Sequence, residues 1–317
     1  MALRTLIARR LLLGLLVLLA VSVLVFIGTE ILPGDVAHAI LGQGATPELV
    51  ANVRARLGLD EPAYLRYFTW LGKLATGNLG ASLASGADIA EMVRERIVNT
   101  ILLAGSAALI AVPMAVLLGL ACALRPNGAL DRIISGLSLT LISVPDFLIA
   151  ILLVTLFAVH LGWLPAIANL RPGQDALAVA RMLVLPVTVL VFTVLAHMVR
   201  MTRTAVVNVL STPAIEMAIL KGVPRWRLLL VHALPNALAP IANVVALNLA
   251  FLISGIVVIE SLFNFAGLGR LMVEAVTTRD IPIVQVCAMI FCSVYVLLNL
   301  LADVVAIVSN PRLRYPK

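Results

Sequence analysis

Uncharged apolar stretches recur along the chain at 11–29, 97–124, 182–199, 228–259 and 281–302, and a sixth at 133–161 is interrupted only by Asp146. Stretches of about twenty apolar residues or more match the roughly 30 Å of hydrocarbon that a helix crosses in a bilayer. The pattern predicts an all-α polytopic membrane protein with six transmembrane helices. Composition agrees: 62% of residues are hydrophobic, 12% are charged and the mean hydropathy is +1.10, far from a soluble domain.

The first stretch follows Arg4, Arg9 and Arg10 as in a signal peptide. It is longer than a signal core and runs into Thr29-Glu30-Ile31-Leu32-Pro33-Gly34-Asp35 without a small-residue cleavage site, which predicts a retained helix. Cys122, Cys287 and Cys292 fall within predicted spans without metal or redox spacing, so they read as small buried hydrophobes.

Charge gives the orientation. The N-terminus, the segments near 125–132 and 200–227, and the tail carry Arg4, Arg9, Arg10, Arg125, Arg132, Arg200, Arg203, Lys221, Arg225, Arg227, Arg312, Arg314 and Lys317 against Asp131 and Glu216. Positive residues of short loops stay inside, so both termini are expected in the cytoplasm and the long polar stretch outside. The division expected is an N-terminus with first helix at 1–32, an extracytoplasmic segment at 33–96, and a five-helix core at 97–317 with a cytoplasmic loop at 212–227. The net charge of +7 is therefore a topology signal. The basic residues flank spans and form no nucleic-acid patch.

Two polar intervals carry local signals. On the outer side Thr46-Pro47-Glu48 opens a helix expected to stop at Gly58, and Gly77, Gly80 and Gly86 punctuate the stretch beyond it. That segment is either a lid or docking surface, or a solvated connector. On the inner side Thr212 is placed to cap a helix with Pro213 at its first position, Gly222 closes it, and Pro224 begins a second short helix through Trp226. Ala218 permits close contact, Glu216 and Lys221 are polar handles, and Arg225 and Arg227 add charge. The element reads either as a rigid elbow that passes a push from a soluble partner into the spans or as a plain connection.

Glu216-Met217-Ala218-Ile219-Leu220-Lys221-Gly222 followed by His232-Ala233-Leu234-Pro235 resembles the EAA loop of binding-protein-dependent ABC importer permeases. Met217 and His232 depart from its usual alanine and isoleucine. The likeness continues through Leu32-Pro33-Gly34-Asp35, Leu57-Gly58-Leu59-Asp60-Glu61-Pro62, Gly77-Asn78-Leu79-Gly80-Ala81-Ser82, Val199-Arg200-Met201-Thr202-Arg203, Gly267-Leu268-Gly269-Arg270-Leu271, Arg279-Asp280 and Asn299-Leu300-Leu301-Ala302-Asp303, ending in Asn310-Pro311-Arg312. This order is similar to the dipeptide, oligopeptide, glutathione and nickel subgroup, although two arginines usual in its coupling loop are missing.

The resemblance implies a type I ABC importer permease fold in the bacterial cytoplasmic (inner) membrane, with a coupling helix between the fourth and fifth spans. It implies that Glu216, Ala218, Lys221, Gly222 and Arg225 meet a cytoplasmic ATPase. It also implies partners: a homologous second permease, two ATP-binding subunits and an extracytoplasmic solute-binding protein. ATP and Mg²⁺ would be held by the ATPases, because this chain has no phosphate-binding loop. The chain is thus expected to be a non-catalytic transport subunit without cofactor or metal. Its cargo reads as dipeptides or oligopeptides, with glutathione or a nickel chelate as the alternative. An ion-coupled secondary transporter is the alternative of a different class, but it would want internal repeats and several intramembrane charges.

Asp146, after Pro145, is the carboxylate inside a span. Such a group is costly unless it faces the bundle interior, water or a partner, so it is the candidate for the translocation path; a place nearer the membrane end is the other reading. Asp303 closes the sixth span, where pairing with Arg200, Arg203 or Arg312 would hold the last helix. Gly14, Gly105, Gly119, Gly136 and Gly255 are placed for close helix crossings.

Overall fold

The computed structural model describes residues 3–31, 46–57, 60–171 and 173–309. The motif at 32–35, Gly58 and the tail with Arg312 lie outside the described residues. The elements are α1 (Leu3–Ile31), α2 (Pro47–Leu57), α3 (Ala63–Ala75), α4 (Ile89–Leu124), α5 (Ala129–Ser143), α6 (Asp146–Leu153, extended by a π-helical stretch Val154–His160), α7 (Ala176–Leu210), α8 (Pro213–Leu220), α9 (Leu234–Leu262), α10 (Leu268–Thr278) and α11 (Ile281–Ser309). A helical turn at Arg225–Arg227 and a π-helical stretch Leu228–Ala233 lead into α9. Pro235 lacks an N–H to continue the ladder at that point, and the wider turn accommodates the gap. Among the described residues the only β pairing is an isolated bridge from Ala81 to Asp88.

Among the described residues five helices are long and apolar enough to cross a membrane. The sixth candidate is α5 with α6, a pair bent by 101°. The helix is fully interrupted at Val144-Pro145. Val144 is extended at φ −99°, ψ 126° and Pro145 at φ −59°, ψ 141°, because the proline ring drives the preceding residue out of the helical region.

The chain forms two compact units, 1–14 with 101–265 and 294–317, and 15–100 with 266–293. This grouping differs from a linear division at 32 and 96. Residues 266–293, far along the chain, gather with the described residues between α1 and α4.

In the first unit α7 is central, with two-thirds of its apolar window buried. Leu190, Val194 and Met198 of α7 pack with Ile256 and Ile259 of α9 and with Ile149 and Ala150 of α6. Leu103, Ala107, Ala111 and Ala115 form a buried stripe on α4 at four-residue spacing. The same spacing leads to Gly119, where an added Cβ would meet Thr202 Cβ and Cγ2 of α7 at 2.8 Å. A Cβ on Gly14 would meet Val296 Cγ1 at 2.9 Å. Gly105 and Gly136, also expected at crossings, face open space.

In the second unit Ile89 and Val93 pack with Leu268, Leu271 and Ala275 of α10 and with Ile283 and Val286. The Phe26 ring meets Tyr67 of α3 at 5.5 Å in an edge contact. Asp280, almost fully buried, receives the Ser82 hydroxyl at 2.5 Å and the amides of Leu83 and Ala84, each at 3.2 Å. Two motifs far apart in sequence, at 77–82 and 279–280, are thereby tied together. Replacing Asp280 with alanine strands those donors. An unsatisfied buried polar group costs about 1–3 kcal/mol, so Asp280→Ala is expected to increase protease cleavage within 77–88, read by limited proteolysis.

Candidate coupling site and path elements

The inner elbow forms where the local signals place it. Thr212 is extended at φ −83°, ψ 149° and Pro213 opens α8. The Thr212 hydroxyl does not cap α8. It donates back to the Val209 carbonyl at 2.8 Å, while the Thr212 carbonyl accepts from Ile215 and Glu216. At the other end Gly222 is left-handed at φ 76°. Its amide donates to Ile219 O at 2.9 Å and that of Val223 to Ala218 O at 3.2 Å, the paired bonds that close a helix on a glycine.

The short helix is anchored on one side only. Ile215 is buried at 4% exposure and Ala218 is half-buried. Glu216, Lys221 and Gly222 are exposed; nothing is described of the Arg225 side chain. Met217, Ile219, Leu220 and Trp226 are all more than half exposed, Leu220 at 80%. The contact residues expected from the sequence, Glu216, Ala218, Lys221, Gly222 and Arg225, do not include these apolar ones. Their signal was available: Met217, Ile219 and Leu220 are large apolar residues between Pro213 and Pro224, and Trp226 follows directly, all outside any span. Exposed apolar side chains rimmed by Glu216, Lys221 and Arg227 are the composition of a docking surface.

Asp146 is half-buried at the first position of α6, where a carboxylate complements the positive end of the helix. Its Oδ2 lies 3.8 Å from the place a Cβ would take on Gly255 of α9. The ion pairs differ from those expected. Asp303 pairs with Arg10 at 2.8 Å, not with Arg200 or Arg203. Arg200 is exposed on α7. Arg203 instead holds Asp131 of α5 with Nε at 2.5 Å and Nη2 at 2.6 Å. Both distributions follow from reach: α7 faces the start of α5 at this level, and α1 faces the end of α11. The Arg10–Asp303 pair is partly exposed. Exposed pairs contribute about 0–1 kcal/mol, so Asp303→Asn is expected to leave the thermal midpoint of the purified protein nearly unchanged.

Residues 115–315 match the family model described as binding-protein-dependent transport system inner membrane component. Residues 2–104 match the model for the N-terminal part of the membrane component of the same systems. The chain belongs to this permease family.

Similar proteins cover the permease from end to end. One from Sinorhizobium fredii, named a probable peptide ABC transporter permease, is 35% identical over 98% of this chain and 99% of its own. One from Brucella abortus, named a peptide transport system permease, is 36% identical over 94% and 95%. A glutathione transport system permease of Salmonella typhi is 36% identical over 96% and 97%. Family membership makes the chain a multi-pass inner-membrane component of a binding-protein-dependent system, with a transport role.

Proposed function

We propose that this permease is one half of the translocation path of an ATP-driven importer of short peptides. The observation that carries the reading is α8, a short helix pinned by Ile215 and Gly222 with Met217, Ile219 and Leu220 left uncovered. Such a helix suits a groove on a cytoplasmic ATPase. A homologous second permease completes the path, two ATP-binding subunits drive it with ATP and Mg²⁺, and an extracytoplasmic binding protein delivers cargo. The termini and α8 face the cytoplasm, in keeping with the arginines that flank the spans.

Relatives named for peptides and for glutathione are equally similar, and glutathione is itself a short peptide. Both favour peptide cargo over a nickel chelate. Uptake into proteoliposomes holding the assembled importer and its binding protein tests this, with di- to pentapeptides, glutathione and chelated nickel supplied together. ATP-dependent uptake of a peptide is expected. Uptake of nickel alone would overturn the cargo assignment.

Asp146 faces the path in this reading and attracts cationic groups of the cargo. Asp146→Asn is expected to slow uptake of a lysine-containing dipeptide by several-fold relative to a neutral one, as for the loss of one partly solvated charge interaction of ~1 kcal/mol. Equal effects on both peptides would remove the residue from that role.

A further inference from the structure

We propose that the Asp131–Arg203 pair is a positioning strut that makes the inner end of α5 move with the coupling arm formed by α7 and α8. The strut rests on the coupling role of α8 proposed above. Asp131 is 3% exposed and its two oxygens take separate guanidinium nitrogens of Arg203. Bidentate pairing of this kind fixes angle as well as distance. The carboxylate also accepts the Asn127 amide at 2.8 Å and the Ser135 hydroxyl at 3.3 Å. Asn127 is left-handed at φ 63°, a conformation asparagine tolerates, and the turn between α4 and α5 is thereby locked onto the same carboxylate.

Arg203 lies about two turns before the end of α7, which leads through Ser211 and Thr212 directly into α8. No proline interrupts α7 beyond Pro186, so a displacement that α8 delivers through the two-residue link to the end of α7 reaches Arg203 through continuous helix. Its neighbour Thr202 is fully buried against Gly119 of α4. The inner part of α7 therefore grips α4 by packing and α5 by charge. At its far end α5 stops at the break that begins α6, where Asp146 sits. A push on α8 is in this way handed to the broken span. Desolvation offsets much of what a buried ion pair adds to stability, and what remains is the fixed orientation of the two helices.

The test uses the assembled importer in lipid vesicles. Spin labels on Arg132→Cys and Thr204→Cys, both at exposed positions, report the α5–α7 distance by pulsed electron resonance with and without ATP. A label on Ile219→Cys, measured against the ATPase, is the reference for motion at α8. The strut predicts an unchanged α5–α7 distance while the reference moves. Asp131→Asn and Arg203→Lys are expected to broaden that distance and to lower uptake per ATP hydrolysed by about tenfold, within the usual range of coupling between sites. An α5–α7 distance that changes with ATP in the presence of both native side chains overturns the strut, as does an equal loss of uptake and hydrolysis in the variants. A reference that stays fixed overturns the coupling role of α8, and the strut with it.

Discussion

Leu220→Glu is expected to abolish ATP-driven uptake while leaving the permease folded in the membrane. Leu220 is 80% exposed at the last turn of α8 and contributes nothing to the core of its own chain. Burying a leucine in a partner's groove contributes about 1.5–3 kcal/mol, and a carboxylate in its place adds a desolvation cost. Together these weaken ATPase association by well over tenfold, where each factor of ten is about 1.4 kcal/mol. Co-purification of the ATPase checks the effect. Met217→Glu should act in the same direction. Ile215→Glu should differ in kind, because Ile215 is buried within the permease and its loss would lower the yield of folded protein.

The second large effect concerns folding. Gly119→Ala is expected to destabilise the permease although alanine is the better helix former. The new Cβ would stand 2.8 Å from Thr202 Cβ and 3.1 Å from the Val199 carbonyl oxygen. Neither is the end of a flexible side chain, so α4 and α7 must separate, and overpacking of this kind costs about 1–3 kcal/mol. Gly136→Ala is the matched control. It faces open space in the middle of α5, and there the change is expected to be neutral or to stabilise by up to about 1 kcal/mol. Thermal midpoints of the two purified variants give the comparison, with Gly119→Ala below the unsubstituted protein and Gly136→Ala at or above it.

The spans were legible because crossing a bilayer demands an unbroken apolar length that composition reveals directly. The elbow was legible for a different reason: Thr212-Pro213 and Gly222 are local signals whose geometry does not depend on the rest of the fold. Asp131 with Arg203 was not, since the partners are separated by 72 positions and every arginine near the inner ends was an equally good candidate. Reach, and not charge, chose Arg10 for Asp303. The uncovered face of α8 was hidden by composition. Leu220 lies outside the spans, but in a chain this apolar a leucine is unremarkable until the fold leaves it 80% exposed. Of the glycines, Gly119 and Gly136 were alike as small residues suited to helix crossings, but of these two only the first meets another helix.

The coupling role of α8 is tested most directly by crosslinking. Ile219→Cys, 55% exposed in the native residue, is combined with cysteines along the groove of the co-purified ATPase and oxidised with and without ATP. A crosslink that forms in the assembled complex and changes in yield when ATP binds is the predicted result. No crosslink to the ATPase in either state, with the complex intact and active, would contradict it.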